Sequence, residues 1–262
     1  MDTRANKYLT ALEKQGIRVH CPAWKLADWM AKGRSGERLT IVSPACPAYA
    51  YERPSNGPPR YTYSGLEGDI GLAGRRFFRG LDAFHSCLKM ELSIANFCHH
   101  VLVADFEGFS EASLHRVGAT AVEFREKSRS TAAAYQSIGG ARIVCALFSD
   151  LFGGPAGWFR DLREMTGRAS SGEFDALLDK DRIGVIGAER RAAFEQFFRE
   201  PVDDGEVLEQ VVTRRALELA TAGALIASVY ENTLILSISD EGTAAFFAMA
   251  ADVPVLDMSG IE

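Results

Sequence analysis

A serine closes the short β-branched run Leu39-Thr40-Ile41-Val42-Ser43, and Pro44-Ala45-Cys46-Pro47-Ala48-Tyr49-Ala50-Tyr51 follows it. A buried strand ending in Ser-Pro puts a hydroxyl at the carboxyl edge of a sheet, where open α/β sheets bind ligands. Ser43 is then either a nucleophile held over a pocket or a turn residue bonding its local backbone. Cys46, three residues on, is a second nucleophile candidate, or else a packing cysteine. Asp105 and Glu107 stand two apart after the apolar run His100–Ala104. In extended geometry both carboxylates face one way and suit a substrate ammonium or guanidinium; the alternative is a solvated turn with a helix cap. Arg214 and Glu218, at i and i+4 of a helical stretch, share a face and either pair on the surface or serve a site.

Other chemistries lack their signatures. Neither G-x-x-x-x-G-K-[ST] nor G-x-G-x-x-G occurs, nor H-E-x-x-H, nor the elbow G-x-S-x-G. His99 and His100 are adjacent, so on a strand they point to opposite faces and cannot share a metal. No metal site is expected. No histidine is placed in the sequence so as to reveal itself as a base for Ser43.

Alternating strands and helices must position these groups. Strands are expected at Leu39–Ser43, His100–Ala104 and Ala141–Leu147. A crossover helix lies between residues 68 and 92, and a long helix over 111–136 is interrupted near Gly118. That order means a parallel sheet with right-handed crossovers, with Ser43 and Asp105 on one edge. Short helices lead in around Tyr8–Ile17 and Trp24–Met30. The second half is more helical: residues 158–165, 188–198 and 205–224, then a strand at Thr233–Ser239 and a helix at Thr243–Ala251. A terminal strand, Val253–Leu256, carries Pro254, which argues for an edge position. Residues 52–60 are turn formers and read as a mobile loop beside the serine. The expected architecture is one α/β domain over residues 1–262.

Composition sets outer limits. The 262 residues are 47% hydrophobic, 24% charged and of net charge −6, which disfavours a wholly basic nucleic-acid binder but leaves room for a basic patch. Five cysteines without a C-x-x-C pair suit a reducing cytosol, so a cytoplasmic location is expected. Met1–Arg18 has no signal-peptide h-region, and no run of about 18 apolar residues suggests a membrane span.

The pattern resembles the cyclodipeptide synthases, a Rossmann-like family related to class I aminoacyl-tRNA synthetases. The residues that carry the likeness are Ile41-Val42-Ser43-Pro44 with Tyr49 and Tyr51, the acidic strand end Ala104-Asp105, and a helix bearing Glu218 ahead of the strand Leu234–Ser239. The resemblance implies a Rossmann-like three-layer sandwich. It also implies aminoacyl-tRNA as partner and donor, an aminoacyl group carried on Ser43, and Glu218 handling the amine of the amino acid moiety. An activated ester needs neither ATP nor a metal or redox cofactor. Cys46, Tyr49, Tyr51, Asp105, Glu107 and Arg214 would line the substrate pocket. The chain departs from the family where Arg214 stands in the place of a tyrosine, where the turn after Ser43 lacks an asparagine, and where the helix 111–136 is less basic. The acidic pair Asp105 and Glu107 is similar in character to what the arginine-containing branch would need. Two other classes fit the same scaffold: a transferase using S-adenosylmethionine or a nucleotide, and a non-catalytic small-ligand binder.

Overall fold

The computed structural model describes residues 3–45, 49–52, 60–63, 70–109, 114, 119–173, 205–237 and 241–258. Eight strands are found there: β1 Arg18–Val19, β2 Leu39–Ala45, β3 Tyr49–Glu52, β4 Arg60–Tyr63, β5 Phe97–Val103, β6 Val144–Leu147, β7 Thr233–Ser237 and β8 Val255–Asp257. The helices are α1 Thr3–Glu13, α2 Ala23–Arg34, α3 Gly71–Ser86, α4 Ala121–Gly139, α5 Pro155–Ser170, α6 Gly205–Val229 and α7 Glu241–Ala250. Six strands make one sheet in the order β1-β8-β7-β2-β5-β6, and β3 and β4 form a separate antiparallel hairpin. Every neighbouring pair in the main sheet is parallel except β1–β8.

Burial on both faces explains the sequence of the central strands. Every residue of β2 and of β7 is buried. Such strands read as near-continuous apolar runs rather than alternating ones. Ile41 and Ala45 face a cluster built from α1, α2, α3 and α4, including Leu12, Met30, Phe77, Leu81, Phe84 and Tyr135. Val42 and Leu102 face the other way, toward Trp158 of α5, Ala216, Leu219 and Ala222 of α6, and Phe246 and Phe247 of α7. The result is a three-layer α/β sandwich of Rossmann-like kind.

Local signals fix several boundaries. Thr120 caps α4 reciprocally with Glu123, so that helix starts at Ala121. The stretch expected as helix from residue 111 is described only at residue 114 and from 119 onward. Buried Phe77, Leu81 and Phe84 give α3 its inward stripe, which Leu88 continues in the next turn. A π-helical turn at Cys87–Glu91 ends it, where Leu92 N–H reaches Cys87 O at 3.1 Å. The expected edge position of the C-terminal strand is corrected. β8 lies between β1 and β7, because the two-residue β1 pairs outside it. Pro254 precedes β8, so its missing N–H costs the ladder nothing, and its carbonyl accepts from Ile235 N–H at 2.9 Å. The expected helix at 188–198 and the loop tip at 53–59 lie outside the described residues.

At the opposite edge, β6 presents one row of backbone groups away from β5. Gln136 of α4 occupies that row: its Oε1 accepts from Cys145 N–H at 3.0 Å and its Nε2 donates to Ile143 O at 3.1 Å. Asp150 Oδ2 takes the next outward donor, Leu147 N–H, at 3.3 Å.

Candidate functional site

Topology singles out the carboxyl end of β2. From β2 the chain moves through β5 to β6 in one direction, then returns to β7 and β8 on the other side of β2. The β2–β7 boundary is therefore the switch point of the sheet, and open α/β sheets bind ligands at the carboxyl ends beside it. Ser43 sits there, two residues before the end of β2. Asp105 follows the end of the parallel neighbour β5, where Ala45 pairs with Val103. The two residues lie at the same edge, as the strand order in the sequence requires.

Ser43 faces the α3 layer and has a partner the sequence did not reveal. His99 of β5 pairs one step back, opposite Ile41, so its side chain lies diagonally below that of Ser43 on the same face. Ser43 Oγ and His99 Nε2 are 2.8 Å apart. His99 Nδ1 is 2.9 Å from Nε2 of His85, in the last turn of α3. Phe77 stands edge-on to His99 with ring centroids 5.5 Å apart, and Phe97 packs at 4.9 Å from the His85 ring. Burial, with the neighbouring His85 and His100 adding to it, holds His99 well below the usual imidazole range. Burial also pushes His85 down to about 4, with Lys89 and Arg142 acting in the same sense and Asp82 opposing. Both rings are neutral at pH 7, so each carries one N–H and the chain of hydrogen bonds runs in a single direction. His100 lies on the other face, with its ring 4.9 Å from that of Tyr230.

Asp105 is buried, and its two oxygens converge on one residue. Oδ1 accepts from Ser149 N–H at 2.8 Å and Oδ2 from Ser149 Oγ–H at 2.5 Å. These bonds tie the end of β5 to the 3-10 turn Phe148–Leu151 after β6. Burial raises the Asp105 carboxyl above its ordinary value, while the two Ser149 bonds and Arg125 act against that. In the free protein Asp105 is thus a buried cap on the turn after β6.

Glu218 is half-buried on α6, whose apolar side packs on the sheet face opposite Ser43. From Glu218 to Val229 the helix descends about 16 Å, and β7 climbs back about 13 Å from Thr233 to Ser237. Glu218 therefore stands level with the carboxyl edge. Tyr49 and Tyr51 lie in β3, in register with Tyr63 and Tyr61, Glu107 in the turn Asp105–Phe109, and Arg214 in α6. The side chains of these four are not among those described, and Cys46 lies outside the described residues. Two other thiols are poor nucleophiles, since burial pushes Cys87 up to about 11 and Cys145 to about 12. A second polar pair sits beyond β7, where His20 Nε2 meets the buried Asp257 at the end of β8.

A cleft of about 660 Å³ opens at the amino edge, between α2 and the start of β7. Its walls are largely self-satisfied: Lys25 pairs with Asp252 at 2.6 Å and Lys32 with Asp28 at 3.1 Å. It lies at the wrong end of the strands for Ser43.

The sheet order, the two helical layers and the serine at the switch point define a Rossmann-like α/β protein. No protein-family model matches the chain, and no curated protein matches it. Among solved structures it is similar to the PvcA protein from Pseudomonas aeruginosa, at 14% sequence identity and a TM-score of 0.47, over 93% of this chain and 82% of that one. Among the described residues no helix is long and apolar enough to cross a membrane.

Proposed function

We propose that the chain is an aminoacyltransferase of cyclodipeptide-synthase type, in which Ser43 takes the aminoacyl group from aminoacyl-tRNA. The observation that carries this reading is the 2.8 Å contact between Ser43 Oγ and His99 Nε2 at the switch point of the sheet. His99 is the general base: as Oγ bonds to the ester carbonyl carbon, Nε2 accepts the hydroxyl proton. The bond to the ribose oxygen breaks, and that oxygen takes a proton from solvent. The amine of a second aminoacyl-tRNA then attacks the seryl ester, and Oγ recovers its proton from His99. The free amine of the dipeptidyl ester so formed attacks its remaining ester carbonyl, closing the ring as the second ribose oxygen leaves with a proton. Glu218, level with the carboxyl edge, orients and deprotonates the amine in this scheme. Asp105 holds the edge in place through Ser149.

The experiment is mass spectrometry of extracts from cells expressing the chain, alongside intact mass of the protein after exposure to aminoacyl-tRNA. A cyclic dipeptide and an aminoacyl adduct on Ser43 are expected, and both vanish in Ser43→Ala. A non-catalytic reading is favoured by one observation: Ser43 and His99 are both enclosed. On that reading Ser43 only bridges β2, β5 and α3 beneath a ligand pocket. Ser43→Ala would then lower the melting temperature, and neither adduct nor product would form in the parent protein.

A further inference from the structure

The Ser43–His99 contact does not end at His99. A serine needs only one base, yet a second imidazole continues the line at 2.9 Å. Exposure rises along it, from 0% at Ser43 to 1% at His99 and 8% at His85. The line also descends the sheet. Ser43 is near the carboxyl end of β2, His99 near the amino end of β5, and His85 in the last turn of a helix that runs back to that end. A hydrophobic sleeve of Phe77, Phe84 and Phe97 surrounds it. Two histidines in such a sleeve are expensive to bury unless each satisfies the other.

We infer that His85 is a positioning and proton-relay residue for Ser43, carrying the serine proton through the core from the substrate edge to the opposite end of α3. This rests on the seryl reading above. In the resting state Ser43 Oγ–H donates to His99 Nε2, and His99 Nδ1–H donates to His85 Nε2. When Oγ forms its new bond, its proton moves to His99 Nε2. The Nδ1 proton of His99 moves to His85 Nε2, and His85 releases its Nδ1 proton toward solvent. The sequence reverses when Oγ leaves. His85 occupies the place a carboxylate holds in a Ser-His-Asp triad: it fixes the His99 ring and tautomer. It differs in being neutral and able to pass a proton onward. The groups around it are Asp82 and Phe84 on α3, Lys89 in the π turn, Phe97 and His99 on β5, and Arg142 after α4. The nearby cations disfavour a stored proton on His85, which suits transfer rather than retention.

The test uses a fluorophosphonate, which phosphonylates an activated serine, Oγ bonding to phosphorus as fluoride leaves, and needs no knowledge of the natural substrate. Labelling is followed by intact mass from pH 5 to 9, in water, in deuterium oxide and in their mixtures. The parent protein is expected to label at Ser43, with a curved dependence on deuterium fraction because two protons move. His85→Gln fills the space and accepts a hydrogen bond but cannot relay; it is expected to label about tenfold or more slowly, with a straight-line dependence and an altered pH profile. His85→Phe serves as the second variant, and melting curves confirm that each is folded. Independently of any variant, imidazole 15N shifts in the parent protein should show Nδ1–H on both rings. Labelling that needs Ser43 and His99 but is indifferent to both His85 variants overturns the relay alone. An Nε2–H on His85 donating inward does the same. Absence of any label on Ser43 removes the seryl reading and the relay with it.

Discussion

Asp105 and His85 show how a single buried group can be tested apart from any reaction. Ser149 is itself buried, so its N–H has no recourse to water if the carboxylate is removed. Asp105→Ala should lower stability by about 1.5–3 kcal/mol, because a donor to a charged acceptor is left unpaired. Asp105→Asn keeps one acceptor and should lose less. Chemical denaturation of the two variants measures the difference, and equal stability of all three proteins would rule the cap out. His85 predicts a pH dependence. Its folded value of about 4 lies below the ordinary 6.5, so as pH falls the unfolded chain binds the proton first. Stability from this group is complete above about pH 6.5 and is lost as pH falls through 4. The change amounts to roughly 3 kcal/mol for a shift of that size. Urea midpoints measured from pH 7 to 4 should fall, and fall less in His85→Phe.

Single residues were the least legible scale in the sequence. Ser43 stood out because a strand-like run ended on it beside prolines. His99 did not, because its pairing depends on register: only the alignment of Ile41 with His99 puts the imidazole diagonally under the hydroxyl. Nothing local encodes that alignment. His85 was hidden for a second reason, since nothing in the helical spacing of residues 68–92 marks it off from the other polar positions. Asp105 was visible, but its partner Ser149 lies 44 residues away, across a crossover.

Elements were easier to read, because burial writes itself into composition. The runs expected at 39–43, 100–104 and 233–239 fall on β2, β5 and β7, strands since both of their faces are covered, and the helices follow from periodic apolar positions. The misreadings came from partners. Pro254 suggested an edge until β1, two residues long and invisible as a strand, was found outside β8. The turn formers at 52–60 read as a loop, but no strand is expected on either side of it, because Tyr49–Glu52 and Arg60–Tyr63 are only four residues each. Contact between α6 and α7 depends on one glycine. A Cβ on Gly223 would stand 2.5 Å from the carbonyl oxygen of Phe247, a backbone atom that cannot swing aside. Alanine is worth about 1 kcal/mol more than glycine inside a helix, yet overpacking costs about 1–3 kcal/mol. Gly223→Ala should therefore be neutral to destabilising by about 2 kcal/mol, and Gly223→Val worse. Thermal melts of both would show the order; a stabilised Gly223→Ala would mean that α7 is free to shift.

At the scale of the whole molecule, the sheet has to end somewhere on each side. One margin is the two-residue β1, too short to receive another strand. The other is β6, whose outward groups bond to the Gln136 amide and the Asp150 carboxylate. A primary amide carries the same donor and acceptor as a peptide unit, so Gln136 stands in for one residue of a seventh strand, which the described residues do not supply. Exposed Val144 flanks it. Taken as a matter of colloidal behaviour rather than of fold, that substitution keeps each molecule from serving as a template for the next. Gln136→Leu should leave the monomer's melting temperature within a few degrees, since the freed groups reach water at about 1 kcal/mol or less. Sedimentation velocity should nevertheless reveal association that grows with concentration as sheets join along β6. A variant that stays monomeric at every concentration would show that this margin needs no guard.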